Sequence, residues 1–304
     1  MQTAFNKGVH RLAVATSAFT VLLLMAGALV TSNDAADSVP DWPLAYGKII
    51  PPLVGGIRYE FTHRVVAAIV AILTLLLAIA IARVETRAHV RRLGWTALAL
   101  VVVQALLGAA RVKLGHPPII ATIHATVAQI FFITTVALAL LTSAWSTQDH
   151  ATIEDSGSPK VRSLALWTTL VILLQLILGA GFRHGAFGIL PHLIGAVAVT
   201  FFVIWTGRTA KKRFANVPPI RRSVVWLHST FGTQILLGFA AYWAVAQAIN
   251  EAQPTLPYVV LTVAHVLVGA LTLASSVILT LICYRLLRPS GAVELSSQAS
   301  RADV

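Results

Sequence analysis

Eight stretches of apolar sequence, each long enough to cross a lipid bilayer, constrain this chain more than any other feature. A helix needs about 20 residues, at about 1.5 Å of rise each, to span a hydrocarbon core of ~30 Å. Windows of that length occur at residues 12–31, 60–83, 95–112, 119–143, 163–182, 188–207, 224–248 and 258–285. Hydrophobic residues make up 57% of the chain and charged residues 11%, which excludes an ordinary soluble domain. The sequence therefore predicts an all-α integral membrane protein with eight transmembrane helices.

The basic residues predict how these segments are oriented. The net charge of +12 would fit nucleic-acid binding, but its distribution indicates a membrane topology instead. With a cytoplasmic N-terminus, 17 of the 23 Lys and Arg residues fall in inner segments. The other six lie outside or at outer helix ends: Lys48, Arg58, Arg64, Arg111, Lys113 and Arg183. By the positive-inside rule we expect both termini on the cytoplasmic side of a bacterial plasma membrane, and no nucleic acid among the partners. The first apolar run is too long for a signal-peptide core, so we expect a retained helix.

Short similarities between the two halves of the chain predict a duplicated unit. The third segment contains QALLGA from Gln104, and the seventh contains QILLGF from Gln234. Between the halves lies STQDHATIEDSGSPK, a polar stretch with the Gly, Ser and Pro of a connector. We therefore predict two pseudo-symmetric four-helix bundles, residues 1–145 and 163–304, joined by a cytoplasmic linker at 146–162. A glutamine followed four residues later by glycine recurs, and we assign it to close helix packing: Gln104, Gln175 and Gln234.

Four of the ten histidines occupy matching places near the starts of the even-numbered segments: His63, His124, His192 and His265. These segments all run from outside to inside, so the four side chains share one membrane level toward the outer face, within about one turn of 5.4 Å. Two parallel helices with histidines at equal depth supply the axial ligands of a bis-histidine haem. We therefore predict haem ligation by His63 with His124 and by His192 with His265. The alternative is that these side chains only hydrogen-bond across helices.

An acidic residue accompanies the first of these histidines. Glu60 precedes His63 by three residues, so it lies on the same helix face and nearly one turn further out. It can be a helix-start acid favoured by the dipole, or an acid or base acting on a substituent of a haem that His63 holds. Arg64 can extend to the interface, pair with a haem propionate, or form a salt bridge with Glu60. The spacing alone leaves these alternatives open.

The run Glu60-Phe-Thr-His63-Arg64 resembles the E-x-x-H-R motif of the haem A synthase family. The resemblance extends along nearly the whole chain, through the two four-helix halves, the four histidines and a PDWPL loop that begins at Pro40. One feature departs from it, because many members carry paired cysteines in an outer loop. The only cysteine here is Cys283, near the inner end of the last segment, where we expect a small packing residue. Thiol chemistry is therefore not expected at the site.

The resemblance implies an enzyme that oxidises the C8 methyl of haem O to a formyl group by successive hydroxylations, giving haem A for cytochrome c oxidase. It implies haem O as substrate at the two first-half histidines, with Glu60 as the catalytic carboxylate and Arg64 as a further contact. A resident haem b is implied at the two second-half histidines. Besides lipid, the implied partners are an electron donor and a haem O synthase or terminal oxidase. Two alternatives stay open: a di-haem electron carrier, which has no use for Glu60, and a haem-binding assembly factor that does not oxidise.

Overall fold

The computed structural model describes residues 5–36 and 38–289, and most of this part of the chain is helical. Its elements are α1 (Lys7–Ser32), α2 (Ile57–Val84), α3 (Ala88–Lys113), α4 (Pro118–Leu141), α5 (Ala144–Thr147), β1 (Ile153–Asp155), α6 (Val161–Arg183), α7 (Ile189–Phe214), α8 (Pro218–Ala248), α9 (Leu256–Leu286) and β2 (Leu287–Pro289). Every helix except α5 is long and apolar enough to cross a membrane. The predicted eight-span, all-α membrane fold is confirmed.

Most spans extend beyond the predicted windows, and the additions are polar first and last turns. α7 continues to Phe214 through a last turn that contains Lys211 and Lys212. α8 begins at Pro218 rather than at residue 224. The helix dipole favours cations in the last turn, and their long side chains reach water from there. Windows chosen by hydropathy leave out such turns, so the predicted bounds were too short.

The helices pack in the same cyclic order in each half of the chain. In the first half α1 contacts α2, α2 contacts α3, α3 contacts α4, and α4 returns to α1. In the second half α6, α7, α8 and α9 repeat this order. Leu77 and Phe131 lie in the core of the first group, and Leu227 and Leu273 lie in the core of the second. Each half is therefore an up-and-down four-helix bundle.

The two bundles meet along α1 and α4 of the first and α6 and α9 of the second. Phe132 of α4 packs there against Ala270 of α9. At the C-terminal end of α6, Arg183 donates hydrogen bonds to the carbonyl oxygen of Ala28 at 3.1 Å and to the hydroxyl oxygen of Ser32 at 2.6 Å. A cation in the interface is stabilised only when its donors are used, and here α1 supplies the acceptors. Arg183 thereby ties the C-terminal end of α6 to the first bundle.

The linker between the bundles is folded, although the sequence predicted only a polar connector. β1 pairs in parallel with β2, which directly follows α9. The buried carboxylate of Asp155 accepts hydrogen bonds from the backbone N–H groups of Val161 at 3.1 Å and Arg162 at 3.0 Å. The linker therefore caps the start of α6 and is attached to the end of α9. The cytoplasmic C-terminus expected from Arg301 lies outside the described residues.

The Asp155→Ala variant is expected to unfold at a lower temperature than the wild type. Its first effect is to leave two N–H groups of α6 without their acceptor, and loss of such a cap costs about 0.5–2 kcal/mol. Thermal unfolding of detergent-solubilised protein, followed by circular dichroism, measures the shift. Glu154→Ala removes the neighbouring exposed acid and should unfold as the wild type does. Equal unfolding temperatures for the two variants would contradict the capping role.

Candidate functional site

His192 on α7 and His265 on α9 face each other inside the second bundle. Their ring centroids are 6.3 Å apart and their planes are inclined at 80°. His192 lies three residues after the start of its helix and His265 lies nine after the start of its own. At about 1.5 Å per residue this offset amounts to about 9 Å of helix. Because the rings are nevertheless close, the N-terminal end of α9 must extend beyond that of α7. Counting residues from the helix starts cannot show this difference.

His63 on α2 and His124 on α4 form the corresponding pair in the first bundle. Each is the seventh residue of its helix, and their imidazoles are close enough to interact electrostatically. Among the described residues the Nδ1 atoms of both, and that of His265, are buried without a hydrogen-bond partner. Buried polar atoms are nearly always paired in proteins, so unpaired ring nitrogens at equivalent positions require an explanation. Ligation of a metal is one role for which an imidazole nitrogen is suited.

Each of the four histidines lies against a glycine of the preceding helix. The pairs, with the distance from a Cβ placed on the glycine to the imidazole Cε1, are Gly27 with His63 (3.2 Å), Gly108 with His124 (3.6 Å), Gly179 with His192 (2.9 Å) and Gly238 with His265 (3.2 Å). A Cβ at Gly27, Gly179 or Gly238 would crowd the ring edge, so these glycines provide a slot for an imidazole, whereas a Cβ at Gly108 would make an ordinary contact with its ring. The sequence identified three of these glycines as packing residues but did not connect them with the histidines.

Glu60 is buried, with 5% of its surface exposed, and both oxygens of its carboxylate are held. Oε1 accepts a hydrogen bond from Nη2 of Arg64 at 2.6 Å, and Oε2 accepts one from the backbone N–H of Val39 at 3.0 Å. This salt bridge is one of the three roles expected for Arg64. Charge-assisted hydrogen bonds of this length restrict the orientation of a carboxylate. Glu60 is therefore fixed one turn from His63, beneath the loop that joins α1 and α2, and is not a freely solvated helix-start acid.

The loop between α1 and α2 covers Glu60, and Arg64 holds it in place. The guanidinium of Arg64 donates to three loop carbonyl oxygens, those of Val39 (3.3 Å), Asp41 (2.8 Å) and Leu44 (2.9 Å). The carboxylate of Asp41 accepts from the backbone N–H groups of Tyr46 at 2.6 Å and Gly47 at 2.8 Å, which closes the loop on itself. The hydrogen bond from Gly47 lowers the pKa of Asp41. The PDWPL segment is thus a structured cover over the start of α2.

Three basic residues at the C-terminal ends of α3 and α6 join this region, and sequence reasoning gave them no role. Arg111 on α3 acts electrostatically on Glu60 and on both histidines of the first bundle. Arg183 ends α6, and burial lowers the pKa of the adjacent His184 to about 4. The sequence did carry a signal for Arg111 and Arg183. Both are among the six cations that oppose the positive-inside bias. Ionisable groups kept in or beside a membrane against such a bias tend to be functional.

Two other histidines lie away from both pairs. His228 packs its ring against Gly207 of α7, and its Nδ1 lies 2.8 Å from the carbonyl oxygen of Val224. His150 belongs to the linker, where its Nε2 lies 2.8 Å from the carbonyl oxygen of Trp145. Both contacts are those of structural side chains.

The fold and the site together define a class of protein, an eight-span membrane protein with a histidine pair in each bundle and a fixed carboxylate beside one pair. Comparison with known proteins gives the family. The model of the cytochrome oxidase assembly protein family matches residues 56–282, so the chain belongs to that family.

Similar proteins confirm the resemblance inferred from the sequence. The chain is 27% identical over 302 residues to the haem A synthase of Shouchella clausii, an alignment that covers 92% of this chain and 96% of that protein. It is 27% identical over 270 residues to the haem A synthase of Symbiobacterium thermophilum, covering 76% of this chain and 85% of the relative. The haem A synthase of Lysinibacillus sphaericus is 32% identical over 141 residues, 45% of each chain.

Proposed function

We propose that this protein is a haem A synthase, a membrane oxidoreductase that converts the C8 methyl of haem O into a formyl group for cytochrome c oxidase assembly. The observation that carries the proposal is the presence of a histidine pair in each bundle; among the described residues, only the first pair has a buried, fixed carboxylate one turn away. The similarity to proteins named haem A synthase supports the same assignment.

The histidine pair of the second bundle has the dimensions of a bis-histidine haem site. Two iron–nitrogen bonds of about 2 Å, and about 1.1 Å from each nitrogen to its ring centre, predict centroids about 6 Å apart. The centroids of His192 and His265 are 6.3 Å apart. The buried unpaired nitrogens of His63, His124 and His265 and the glycine slots fit the same group. The residues present therefore fit haem in both bundles.

The two bundles would divide the work. We assign residues 1–145 to the substrate, with haem O between His63 and His124, because Glu60 belongs to that bundle. Residues 163–304 would hold a resident haem b between His192 and His265, which passes electrons, and residues 146–162 join the two. Arg111 and Arg183 bring positive charge to the outer ends of the sites, where it would pair with haem propionates. Propionate pairing by Arg64 stays a prediction, since its hydrogen bonds in the structure go to Glu60 and the loop.

Oxidation of the methyl group replaces hydrogen by oxygen on a carbon at the edge of the macrocycle. Two hydroxylations replace two C–H bonds by C–O bonds, and the resulting geminal diol loses water to leave the formyl group. When bound, haem iron supplies the oxidising power for this chemistry. The protein supplies the position and the proton acceptor. Glu60, held by Arg64 and Val39, can accept a proton or stabilise positive charge at one place above the ring that His63 holds.

The proposal places both termini in the cytoplasm and both haem sites toward the outer face of a bacterial plasma membrane. The charge distribution supports this orientation, since 17 of 23 basic residues fall on the side assigned to the cytoplasm. The starts of α2, α4, α7 and α9 would then face outward. An electron donor and either a haem O synthase or a terminal oxidase are the partners that such a reaction requires or supplies.

A bacterial strain that makes haem O but lacks its own haem A-forming enzyme tests this function. Expression of the protein should restore haem A, seen in reduced-minus-oxidised spectra of the membranes and by chromatography of extracted haem. Spectra that gain only b-type haem would instead support an electron carrier or an assembly factor.

The Gly179→Ala variant is expected to weaken haem binding in the second bundle. The new methyl group would lie 2.9 Å from Cε1 of His192, closer than such atoms normally approach, so the imidazole must turn or the helices must separate. Disturbing the surroundings of a metal ligand typically costs on the order of 10-fold or more in affinity. The haem-to-protein ratio, from pyridine haemochrome spectra, measures the loss. Gly232→Ala on α8, where the Cβ meets no atom within 4 Å, is the matched control. Equal haem contents in the two variants would contradict the role of Gly179 in making room for His192.

A further inference from the structure

The glutamines that the sequence assigned to packing contact the histidines of the second bundle. Nε2 of Gln175 lies 3.1 Å from Nδ1 of His192 and donates to the carbonyl oxygen of the same residue at 2.8 Å. Nε2 of Gln234 lies 3.3 Å from Nε2 of His265. Each glutamine comes from the helix that precedes the histidine, one turn before the glycine that faces the ring. Both imidazoles of this bundle are therefore in contact with a carboxamide.

Two further glycines make room for these carboxamides. A Cβ on Gly195, one turn after His192, would collide with Oε1 of Gln175, and a Cβ on Gly269, one turn after His265, would lie 3.1 Å from Nε2 of Gln234. A side chain at either glycine would displace the glutamine from the ring. The contact is thus formed by three positions at each histidine, and a chance proximity of one long side chain does not account for that.

The first bundle lacks these contacts. At the place that corresponds to Gln175, four residues before the slot glycine, α1 carries Leu23, whose side chain offers no hydrogen bond. The group of α1 that interacts with His63 is the backbone carbonyl of Leu23, through a hydrogen bond. Gln104 corresponds to Gln234, but its Oε1 is buried without a partner among the described residues, and Nδ1 of His124 is likewise unpaired there. Neither imidazole of this bundle receives a side-chain hydrogen bond in the part of the chain that the structure describes.

We propose that Gln175 and Gln234 are positioning residues that fix His192 and His265 for a permanently retained haem, whereas His63, which meets only the backbone carbonyl of Leu23 and no carboxamide, holds its haem less firmly. The inference rests on the haem binding in the proposed function and adds the property that separates the two sites. A hydrogen-bond partner on the second ring nitrogen fixes ring orientation and raises ligand basicity. A carboxamide can rotate to offer either its N–H or its oxygen, so it suits a ring in either tautomer. The absence of a carboxamide contact suits a site that must release its product.

The test measures haem release and reduction potential in the full-length protein purified with haem b. Excess apomyoglobin captures released haem, and the rate of its appearance reports retention. Gln175→Leu and Gln234→Leu should release haem about 10- to 100-fold faster than the wild type and raise the midpoint potential of the remaining b-type signal. Gln175→Glu, which restores an acceptor, should recover retention and lower the potential. Leu23→Gln should slow the release of the faster-exchanging fraction.

Gln129→Leu is the matched control, because Gln129 is a buried glutamine of α4 whose Oε1 also has no partner among the described residues. It should leave both release and potential unchanged. Wild-type retention and potential in both Gln175→Leu and Gln234→Leu would overturn the assignment, and so would an equal effect of Gln129→Leu. Wild-type protein that purifies without any haem would instead refute the proposed function, so the two failures are distinguishable.

Discussion

The Glu60→Ala variant is expected to bind haem in both bundles and to leave haem O unoxidised. The ligand pairs do not include Glu60, and the three loop carbonyls that accept from Arg64 are retained, so the site should keep its shape. What is lost is the fixed carboxylate beside His63, to which the proposal assigns the role of proton acceptor. Removal of a positioned acid or base typically lowers a rate by about 10²- to 10⁴-fold. Chromatography of haem extracted from cells that make haem O measures the ratio of haem A to haem O.

Two further variants separate chemistry from structure in this experiment. Glu60→Gln keeps the size of the side chain and an acceptor for Val39, yet it should be as inactive as Glu60→Ala. Glu85→Ala is the matched control, since Glu85 is the other buried acid at an end of α2 and is paired with Arg87 at 2.7 Å. It should leave the haem A yield unchanged. Normal haem A formation by Glu60→Gln would show that the carboxylate is not the reacting group.

Loss of one histidine is expected to empty one bundle and spare the other. His192→Ala and His265→Ala should each remove the resident haem b, leaving only the haem bound in the first bundle. His63→Ala and His124→Ala should leave haem b in place and abolish substrate binding and oxidation. The reason is that each pair lies in its own bundle and shares no helix with the other. Haem stoichiometry, with electron paramagnetic resonance of the ferric low-spin signal, distinguishes the two outcomes.

His228→Ala is the matched control for the four histidine variants. His228 also lies in a transmembrane helix, in the N-terminal half of α8, where it contacts Val224 and Gly207. We expect its haem content and spectrum to equal those of the wild type. If all four pair variants lost both haems together, the bundles would not be separate sites and the division of labour proposed above would be wrong.

The sequence was sufficient for the membrane fold because the apolar windows have only one solution in a bilayer, in which backbone groups must be satisfied within each helix. It was also sufficient to place each of the four histidines in the first three turns of its helix, but not to give them one depth, because α9 begins nine residues before its histidine and α7 only three before its own. Helix ends were less accurate, since basic turns such as the last turn of α7 are stable for reasons that hydropathy does not contain.

The surroundings of the histidines were beyond the sequence because they depend on which helices are neighbours. Gln175 and Gly179 lie on one face of α6, four residues apart, and this spacing is typical of both packing and ligand support. Only the approach of α7 shows that the pair serves His192. Likewise, the three roles of Arg64 could not be ranked until the fold of the preceding loop provided its acceptors.

The measurement that tests the central claim most directly is mass spectrometry of the haem extracted from purified wild-type protein, produced in a membrane that also makes haem O. The account predicts haem A or its C8 alcohol precursor together with haem b. Protein that carries only haem b and unmodified haem O would contradict oxidation by this chain, and the histidine pairs would then belong to an electron carrier or a haem-binding assembly factor.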